Sequence, residues 1–206
     1  MDLSPIYRLA AKHFRQRRLN WIIREFSNCQ DIVDLGGTVE SWQSVRFPRT
    51  LLVNRAPERQ LLPPGFAYLQ ADACSAGLRE RFDLAFSSST IEHLGTWGRQ
   101  QIFAGELLRL GRRVYCQTPN RWFPVEPHYL SLFVHWLPAR WFGHALHRYA
   151  TLQGLAQKPS RADSARIRQR ESIRLLSKRE LRALFPGCQI RTERCLGLAK
   201  SFIVWR

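Results

Sequence analysis

The sequence predicts an α/β fold in which a mostly parallel sheet is covered by helices on both faces. From residue 31 onward, short apolar segments are separated by helical or loop segments. These segments are largely apolar throughout, which is typical of parallel strands buried on both faces. The first of them, residues 31–35, runs into Gly36 and Gly37, a pair that allows the backbone to turn tightly. A buried strand, a glycine turn and a following helix form the arrangement that holds nucleotide-like ligands, although structural glycine turns are also common.

Each element before residue 120 is predicted from its local sequence. Ser4 can cap a helix over residues 5–26, with Pro5 at its first position. β-Branched and aromatic residues favour strands in the short apolar runs that follow. The predicted strands are 32–35, 50–54, 66–70, 82–87 and 113–117, with a helix at 99–110 before the fifth strand and Pro119 after it.

The remainder of the chain predicts an insertion and a closing unit. Residues 120–172 are rich in tryptophan and phenylalanine and then in basic residues, which favours a helical insertion followed by a loop. A capping box at Ser177–Glu180 predicts a helix through Phe185, which Pro186 and Gly187 stop. Two closing strands at 189–194 and 201–205 bring the sheet to seven strands.

Length and composition favour one domain spanning residues 1–206, because 206 residues with 45% hydrophobic side chains suffice for one buried core. No apolar run reaches the roughly 20 residues that span a bilayer, and no secretory signal is recognisable, so we expect a cytoplasmic protein. The five cysteines show no CxxC pairing, which favours reduced thiols and predicts no metal site. The expected parts are an N-terminal helix (1–28), a cofactor-binding core (29–120), the insertion with its basic loop (121–172) and the closing helix and strands (173–206).

The formal net charge of +16 is unevenly distributed. Residues 1–30 carry six basic and two acidic side chains, residues 31–139 eleven and ten, and residues 140–206 fifteen and four. Basic ends around a nearly neutral core favour anionic partners, either an acidic small molecule, nucleic acid or the anionic inner surface of a membrane. A simple solvated basic face is the alternative.

Several ordered segments resemble the class I S-adenosylmethionine-dependent methyltransferases, particularly the small bacterial group called type 11. The matching segments are 31–38 (DIVDLGGT), 51–54 (LLVN), 70–73 (QADA), 82–94 (FDLAFSSSTIEHL) and 117–128 (QTPNRWFPVEPH). This resemblance implies a Rossmann-like, doubly wound fold with S-adenosylmethionine as cofactor. The chain departs from the usual pattern at two positions, because Thr38 replaces a glycine and Asn54 replaces an acid.

The resemblance also assigns roles to the residues that follow each strand. Asp34 would accept a hydrogen bond from the cofactor's ammonium group or orient the turn. Gly36 and Gly37 would allow this turn to pass beneath the methionine and ribose parts of the cofactor. Asn54 would accept from a ribose hydroxyl more weakly than a carboxylate. The resemblance places the adenine at Asp72 and Ala73 and the methionine part at Ser87 and Ser88. Turn capping remains the alternative for Asp34, an Asx turn for Asp72 and a plain polar loop for the serines.

Catalysis and acceptor binding are assigned to the segments after strands four and five. Glu92 and His93 are candidates for catalysis, since histidine titrates near neutrality, with positioning of the cofactor as the alternative. Asn120, Arg121, Trp122 and His128 would lie on the acceptor side. The aromatic residues of the insertion would form an acceptor wall, a membrane-facing lid or an ordinary subdomain core.

Three functions therefore remain open at the level of the sequence. The first is methyl transfer to a small molecule, or a lipid- or sugar-linked molecule, of anionic character. The second is methylation of RNA, which the charge would suit, although no appended RNA-binding module is recognisable. The third is a non-catalytic binding protein that keeps the fold, which the substitutions at Thr38 and Asn54 keep open.

Overall fold

A computed structural model describes residues 4–42, 47–126, 131–136 and 173–206. Its main element is a seven-stranded sheet in the order β3-β2-β1-β4-β5-β9-β8. The helices are α1 (Ser4–Glu25), α2 (Trp97–Leu110) and α3 (Lys178–Leu184). The strands are β1 (Asp31–Leu35), β2 (Arg49–Asn54), β3 (Phe66–Gln70), β4 (Phe82–Ser88), β5 (Gly111–Pro119), β6 (Val125–Glu126), β7 (Ser131–Leu132), β8 (Gln189–Cys195) and β9 (Leu198–Trp205).

The sheet is mixed. Strands β1 to β5 pair parallel with one another, whereas β9 pairs antiparallel with both β5 and β8. The strand order reverses between β1 and β4, so the chain leaves these two adjacent strands in opposite lateral directions. In open α/β sheets this reversal opens a crevice at the carboxyl ends of the strands, where ligands bind.

Both faces of the sheet are covered, because successive strand residues point to opposite sides. On one face, Ile32 and Leu84 pack with Ile22 of α1 and with Phe26 just beyond that helix. On the other face, the strand residues Val33 and Ala85 pack against α2 and α3. The helix residues in this cluster include Phe103, Leu107, Leu181 and Leu184. The predicted α/β fold with a seven-stranded sheet is therefore confirmed for the part of the chain that the structure describes.

The connections differ from the expected alternation of strands and helices. After the glycine turn the chain forms only a short 3₁₀ helix, Val39–Trp42, before the undescribed residues 43–46. Between β2 and β3, and between β3 and β4, turns and extended segments replace helices. Pro57, Pro63 and Pro64 in the first of these connections disfavour a helix interior.

The insertion after β5 was predicted to be helical, and its described part is not α-helical. Strands β6 and β7 form a two-stranded antiparallel ribbon, followed by a 3₁₀ turn at Val134–Trp136. The ring of Trp136 contacts those of Trp122 and Phe133 there, with centroids 6.3 and 5.0 Å apart. Residues 127–130 and 137–172, which include His128, Trp141 and Phe142 and most of the basic loop, lie outside the described residues.

Candidate active site

Asp34 lies at the centre of the crevice, near the carboxyl end of β1. Its side chain is buried, with 1% exposed, and Oδ2 accepts a hydrogen bond of 2.8 Å from Trp42 Nε1. The second oxygen, Oδ1, is also buried and has no hydrogen-bond partner among the residues that the structure describes. Burial raises the pKa of Asp34 to about 7, although the bond from Trp42 acts in the opposite direction. A buried carboxylate oxygen with free lone pairs is a binding position for a cationic donor.

The two glycines are required by the side chains that pack against their turn. Gly36 has a φ of +87°, a region that favours glycine, and a Cβ there would overlap the side chain of Thr90. A Cβ on Gly37 would overlap the carboxylate of Asp34. The backbone N–H of Gly36 donates to Val53 O at 2.7 Å, which ties the turn to β2. Passage of the turn beneath a cofactor stays a prediction.

Asn54, at the end of β2, holds this turn in place. Its Nδ2 donates to the carbonyl oxygens of Gly36 and Gly37 at 3.3 and 3.1 Å. Its Oδ1 accepts from the N–H of Ala56 at 3.2 Å. A carboxylate could not donate to those carbonyls, so asparagine at this position makes contacts that the acid usual in the family cannot make. Binding of a ribose hydroxyl by Asn54 stays a prediction.

A cavity of about 240 Å³ lies beside the glycine turn. Gly37 and Asn54 line it, together with Glu40, Glu58 and Tyr68. The side chain of Gln60, which also lines the cavity, donates to Glu40. Glu58 Oε1 accepts from the N–H groups of Arg59 and Gln60 at 2.7 Å. The two glutamates are carboxylates that the sequence comparison did not single out. The signal that could have found them is their position, since Glu40 follows β1 and Glu58 follows β2 in the sequence.

Asp72 lies beyond β3 in an ion pair. Arg99 Nη2 donates to both of its oxygens at 2.9 and 2.8 Å, and Arg55 Nη2 lies 3.3 Å from Oδ2. Burial alone would raise the pKa of Asp72, but the bonds from Arg99 and from the Cys74 N–H outweigh it and lower the pKa. The bond to Cys74 is an Asx turn, the structural alternative that the sequence left open. Neighbouring Ala73 is buried, and adenine binding by this pair stays a prediction.

The serines at the carboxyl end of β4, Ser87 and Ser88, and Ser89 directly after it donate their hydroxyl groups within the protein. Ser87 is buried and its Oγ donates to Leu35 O at 3.0 Å, which links β4 to β1. Ser88 Oγ and Ser89 Oγ both donate to Oε1 of Gln117 at 3.0 Å. Ser89 also has a φ of +55°, an uncommon conformation for a residue with a Cβ. The interpretation as a plain polar loop therefore does not describe Ser87, which connects two strands.

The structure separates the two candidate catalytic residues. Glu92 is fully buried and its Oε2 accepts from Thr118 Oγ1 at 2.9 Å, while its backbone oxygen accepts from the Arg174 N–H at 2.7 Å. His93 is exposed, and its backbone N–H donates to Thr90 O. Glu92 thus faces the interior of the fold, and His93 is the member of the pair that is open to solvent.

The acceptor-side residues have different surroundings. Asn120 is buried and ties β5 to β9, because its Nδ2 donates to Ala199 O at 2.7 Å. Arg121 and Trp122 are exposed, with the guanidinium carbon 5.4 Å from the centroid of the indole ring. Trp122 is 61% exposed, a large apolar surface at the edge of the crevice. Asn120 therefore has a structural contact, whereas Arg121 and Trp122 are exposed, with Arg121 Nη1 4.0 Å from Oε1 of Glu180.

Three further side chains near the carboxyl ends of β4 and β5 were not identified from the sequence. Arg15, Arg18 and Lys200 line a cavity of about 130 Å³ that also contacts Ser89 and Gln117. Two of them come from α1 and one from β9, so only the tertiary fold brings them together.

The described residues contain no helix that is both long and apolar enough to cross a membrane.

Comparison with solved structures identifies the fold. A possible exported protein from Bordetella parapertussis has a TM-score of 0.57 at 12% identity, over 97% of this chain and 68% of that chain. The N-methyltransferase NodS from Bradyrhizobium japonicum, in complex with S-adenosyl-L-homocysteine, has a TM-score of 0.53 at 9% identity, over 93% and 85%. An S-adenosylmethionine-dependent methyltransferase from Anabaena variabilis has a TM-score of 0.51 at 12% identity, over 92% and 83%. No protein-family model matches the sequence, and none of the curated proteins matches it.

These likenesses confirm, at the level of the fold, the resemblance to class I methyltransferases that the sequence motifs indicate. The chain shares its fold with S-adenosylmethionine-dependent methyltransferases. At 9 to 12% identity the likeness concerns the fold alone, and the activity has to be argued from the site.

Proposed function

We propose that this protein is an S-adenosylmethionine-dependent methyltransferase acting on an anionic small molecule. One observation carries the proposal: the unpartnered, buried Oδ1 of Asp34 at the switch point of a methyltransferase fold. The ammonium of the cofactor's methionine part has the charge and the hydrogen-bond donors that this oxygen lacks. The complex of NodS with S-adenosyl-L-homocysteine supports the choice of cofactor.

The residues around the crevice fit such a cofactor by their chemistry. Asp34 would hold its ammonium group. The ribose would lie in the cavity beside Gly37 and Asn54, where the carboxylates of Glu40 and Glu58 would accept hydrogen bonds from its hydroxyl groups. When bound, S-adenosylmethionine supplies a methyl group already activated on a sulfonium. The chain then has to align the acceptor and exclude water, which accounts for much of the rate in such reactions.

A general base is needed only if the acceptor must lose a proton. His93 is exposed at the carboxyl end of β4 and can accept a proton at a ring nitrogen in its neutral form. Buried Glu92 cannot contact an acceptor, so its proposed role is to hold the loop after β4 through Thr118 and Arg174. His93 is accordingly the proposed base, and Glu92 a positioning residue.

Calorimetric titration with S-adenosyl-L-homocysteine, followed by a radiolabelled methyl-transfer assay on fractionated cell extract, tests this function. Binding in the micromolar range and transfer of label to a small molecule are the expected results. No binding at millimolar concentration would exclude the cofactor. Label that appears in RNA would instead favour the RNA methyltransferase, which the three neighbours' names do not support.

One set of contacts favours a second candidate, a binding protein that keeps the fold without catalysis. The polar groups of Asp72 and Asn54 already have partners within the chain. Asp72 pairs with Arg99 and Arg55, and Asn54 donates to the glycine turn. A protein that had lost cofactor binding could keep exactly such internal contacts. Binding of S-adenosyl-L-homocysteine without any methyl transfer, or no binding at all, would favour this candidate.

A further inference from the structure

The cavity lined by Arg15, Arg18 and Lys200 carries an excess of positive charge. Arg15 and Arg18 lie one helical turn apart on α1, so both reach the same side of the helix. Lys200 comes from β9, whose start lies beside the end of β5 through the pairing of Ser201 with Pro119. No acidic side chain lines the cavity among the residues that the structure describes.

One carboxylate behind the cavity neutralises one of these charges. Glu193 lies 3.0 Å from Arg18 Nη1, and it also accepts from Ser201 Oγ. The side chains of Arg18 and Glu193 are only 15% and 9% exposed, which fixes the guanidinium at the cavity wall. Arg15 and Lys200 have no carboxylate partner among the described residues, so about two positive charges remain.

Lys200 is a partly buried cation. Its ammonium lies 4.4 Å from the centroid of the Phe14 ring, a favourable cation–π contact. Burial, and then the charge of Arg18, lower the pKa of Lys200, while Glu193 raises it in part. A bound anion would relieve both effects, because it would replace lost hydration and offset the charge of Arg18.

The position and size of the cavity define what it can hold. It touches Ser89 and Gln117 at the carboxyl ends of β4 and β5, on the acceptor side of the crevice. Its volume of about 130 Å³ is well below the roughly 300 Å³ or more of sites for whole drug-sized ligands. Oε1 of Gln117 already accepts two serine hydroxyls, so this side chain can offer a ligand only the donors of its amide nitrogen.

We infer that this cavity binds a phosphate group of the methyl acceptor, held by Arg15, Arg18 and Lys200. A phosphate monoester carries a charge near −2 at neutral pH, which matches the charge that Glu193 leaves uncompensated. Guanidinium groups bind phosphate oxygens in pairs, and an ammonium adds a point charge. The inference rests on the proposed methyltransferase function, since it assigns the phosphate to the acceptor of that reaction.

Lys200 can report directly on binding, because the chain contains only four lysines, Lys12, Lys158, Lys178 and Lys200. Reductive methylation with isotope-labelled methyl groups makes each of them visible by NMR, and Lys200→Gln assigns the signal. Inorganic phosphate at constant ionic strength should shift the Lys200 signal saturably and raise the pKa of Lys200, with Lys178 unmoved. Acetate should bind much more weakly. No phosphate-dependent shift, or equal binding of acetate and phosphate, would overturn the inference.

Two arginine variants provide a matched pair. Arg15→Gln should weaken phosphate binding about tenfold, as expected for the loss of one charge-assisted hydrogen bond. Arg17→Gln removes the same charge from the same helix, but Arg17 lines a different groove and should leave phosphate binding unchanged. Equal effects of the two variants would show only a general influence of net charge, which contradicts a site.

Two measurements separate this inference from the proposed function. Calorimetry with S-adenosyl-L-homocysteine tests the cofactor site of the same samples, which Lys200→Gln should leave unchanged. If the cofactor product binds and phosphate does not, the acceptor inference alone fails. If phosphate binds and the cofactor product does not, the assignment to a methyl acceptor is overturned. Phosphatase treatment of the cell extract should also abolish acceptor activity, and unchanged activity would contradict the inference.

Discussion

The variant Asp34→Asn separates the charge of this buried carboxyl from its shape. Asparagine has nearly the same volume, and its amide oxygen can still accept the hydrogen bond from Trp42 Nε1. It cannot ionise, so it does not carry the buried negative charge that wild-type Asp34 acquires as the pH rises. We expect opposite effects of this variant on stability and on cofactor affinity.

The effect on stability follows from the raised pKa. The folded chain holds the Asp34 proton up to about pH 7, whereas the unfolded chain releases it near pH 4. The favourable contribution of the protonated form is therefore complete below pH 4 and is lost as the pH rises to 7. Raising a carboxyl pKa from about 4 to about 7 corresponds to about 4 kcal/mol at pH values above 7.

Denaturant unfolding of both proteins between pH 4 and pH 8 measures this contribution. The free energy of unfolding of Asp34→Asn, relative to wild type, should increase by up to about 4 kcal/mol across that range. Other titrating groups contribute equally to both proteins, so their contributions cancel in the difference between the two free energies of unfolding. Asp72 is one such group, and its lowered pKa makes stability rise with pH. A difference that stays constant with pH would refute a raised pKa at Asp34.

The effect on the cofactor has the opposite sign. An ammonium at Oδ1 needs the ionised carboxylate, so the affinity of wild type for S-adenosyl-L-homocysteine should fall up to about tenfold per pH unit below 7. Asp34→Asn should lose about ten- to a hundredfold in affinity at pH 8, the range for a hydrogen bond to a charged group. Asp31→Asn, at the far end of the same strand and paired with Arg49, is the control and should bind normally. Unchanged binding by Asp34→Asn would refute the ammonium site.

The remaining predictions concern the turn, a helix cap and the proposed base. Gly36→Ala should destabilise the fold by about 1–3 kcal/mol in denaturant unfolding, because Gly36 has a positive φ and the added Cβ would overlap Thr90. The control Gly98→Ala, in open space on α2, should be neutral or stabilising. Ser177→Ala should cost about 1 kcal/mol in thermal unfolding, since it removes a complete capping box; equal stability would contradict this. His93→Gln should lower the rate of methyl transfer but leave binding of S-adenosyl-L-homocysteine unchanged, and an unaltered rate would exclude a base at this position.

The strands and closing helix were predictable because their signals are local. Apolar runs such as 32–35 and 82–87 gave strands within one or two residues of the observed ends. The capping box at Ser177 placed the start of α3, since side-chain and backbone groups three residues apart satisfy each other. Strand β9 starts three residues before the predicted 201, where the hairpin turn at Leu196 and Gly197 sets the pairing with β8.

The environment of the site residues was not predictable from sequence. The pattern around Asp34 indicated a ligand, but its burial depends on Trp42, which reaches it from the following 3₁₀ turn. Asp72 was expected to face a ligand, and its partner Arg99 is 27 residues away on α2. The cavity at Lys200 depends on contacts between the two ends of the chain. Such partners are set by tertiary packing, which leaves no periodic signal in the sequence.

Isothermal titration of the purified protein with S-adenosyl-L-homocysteine at pH 8 tests the central claim most directly. We expect one site per chain with micromolar affinity, weakened at least tenfold in Asp34→Asn and unaffected in Asp31→Asn. Proton release on binding at pH 6, seen as a dependence of the heat on the buffer's ionisation enthalpy, should accompany it. No binding by wild type at millimolar ligand would contradict the claim that this fold holds S-adenosylmethionine.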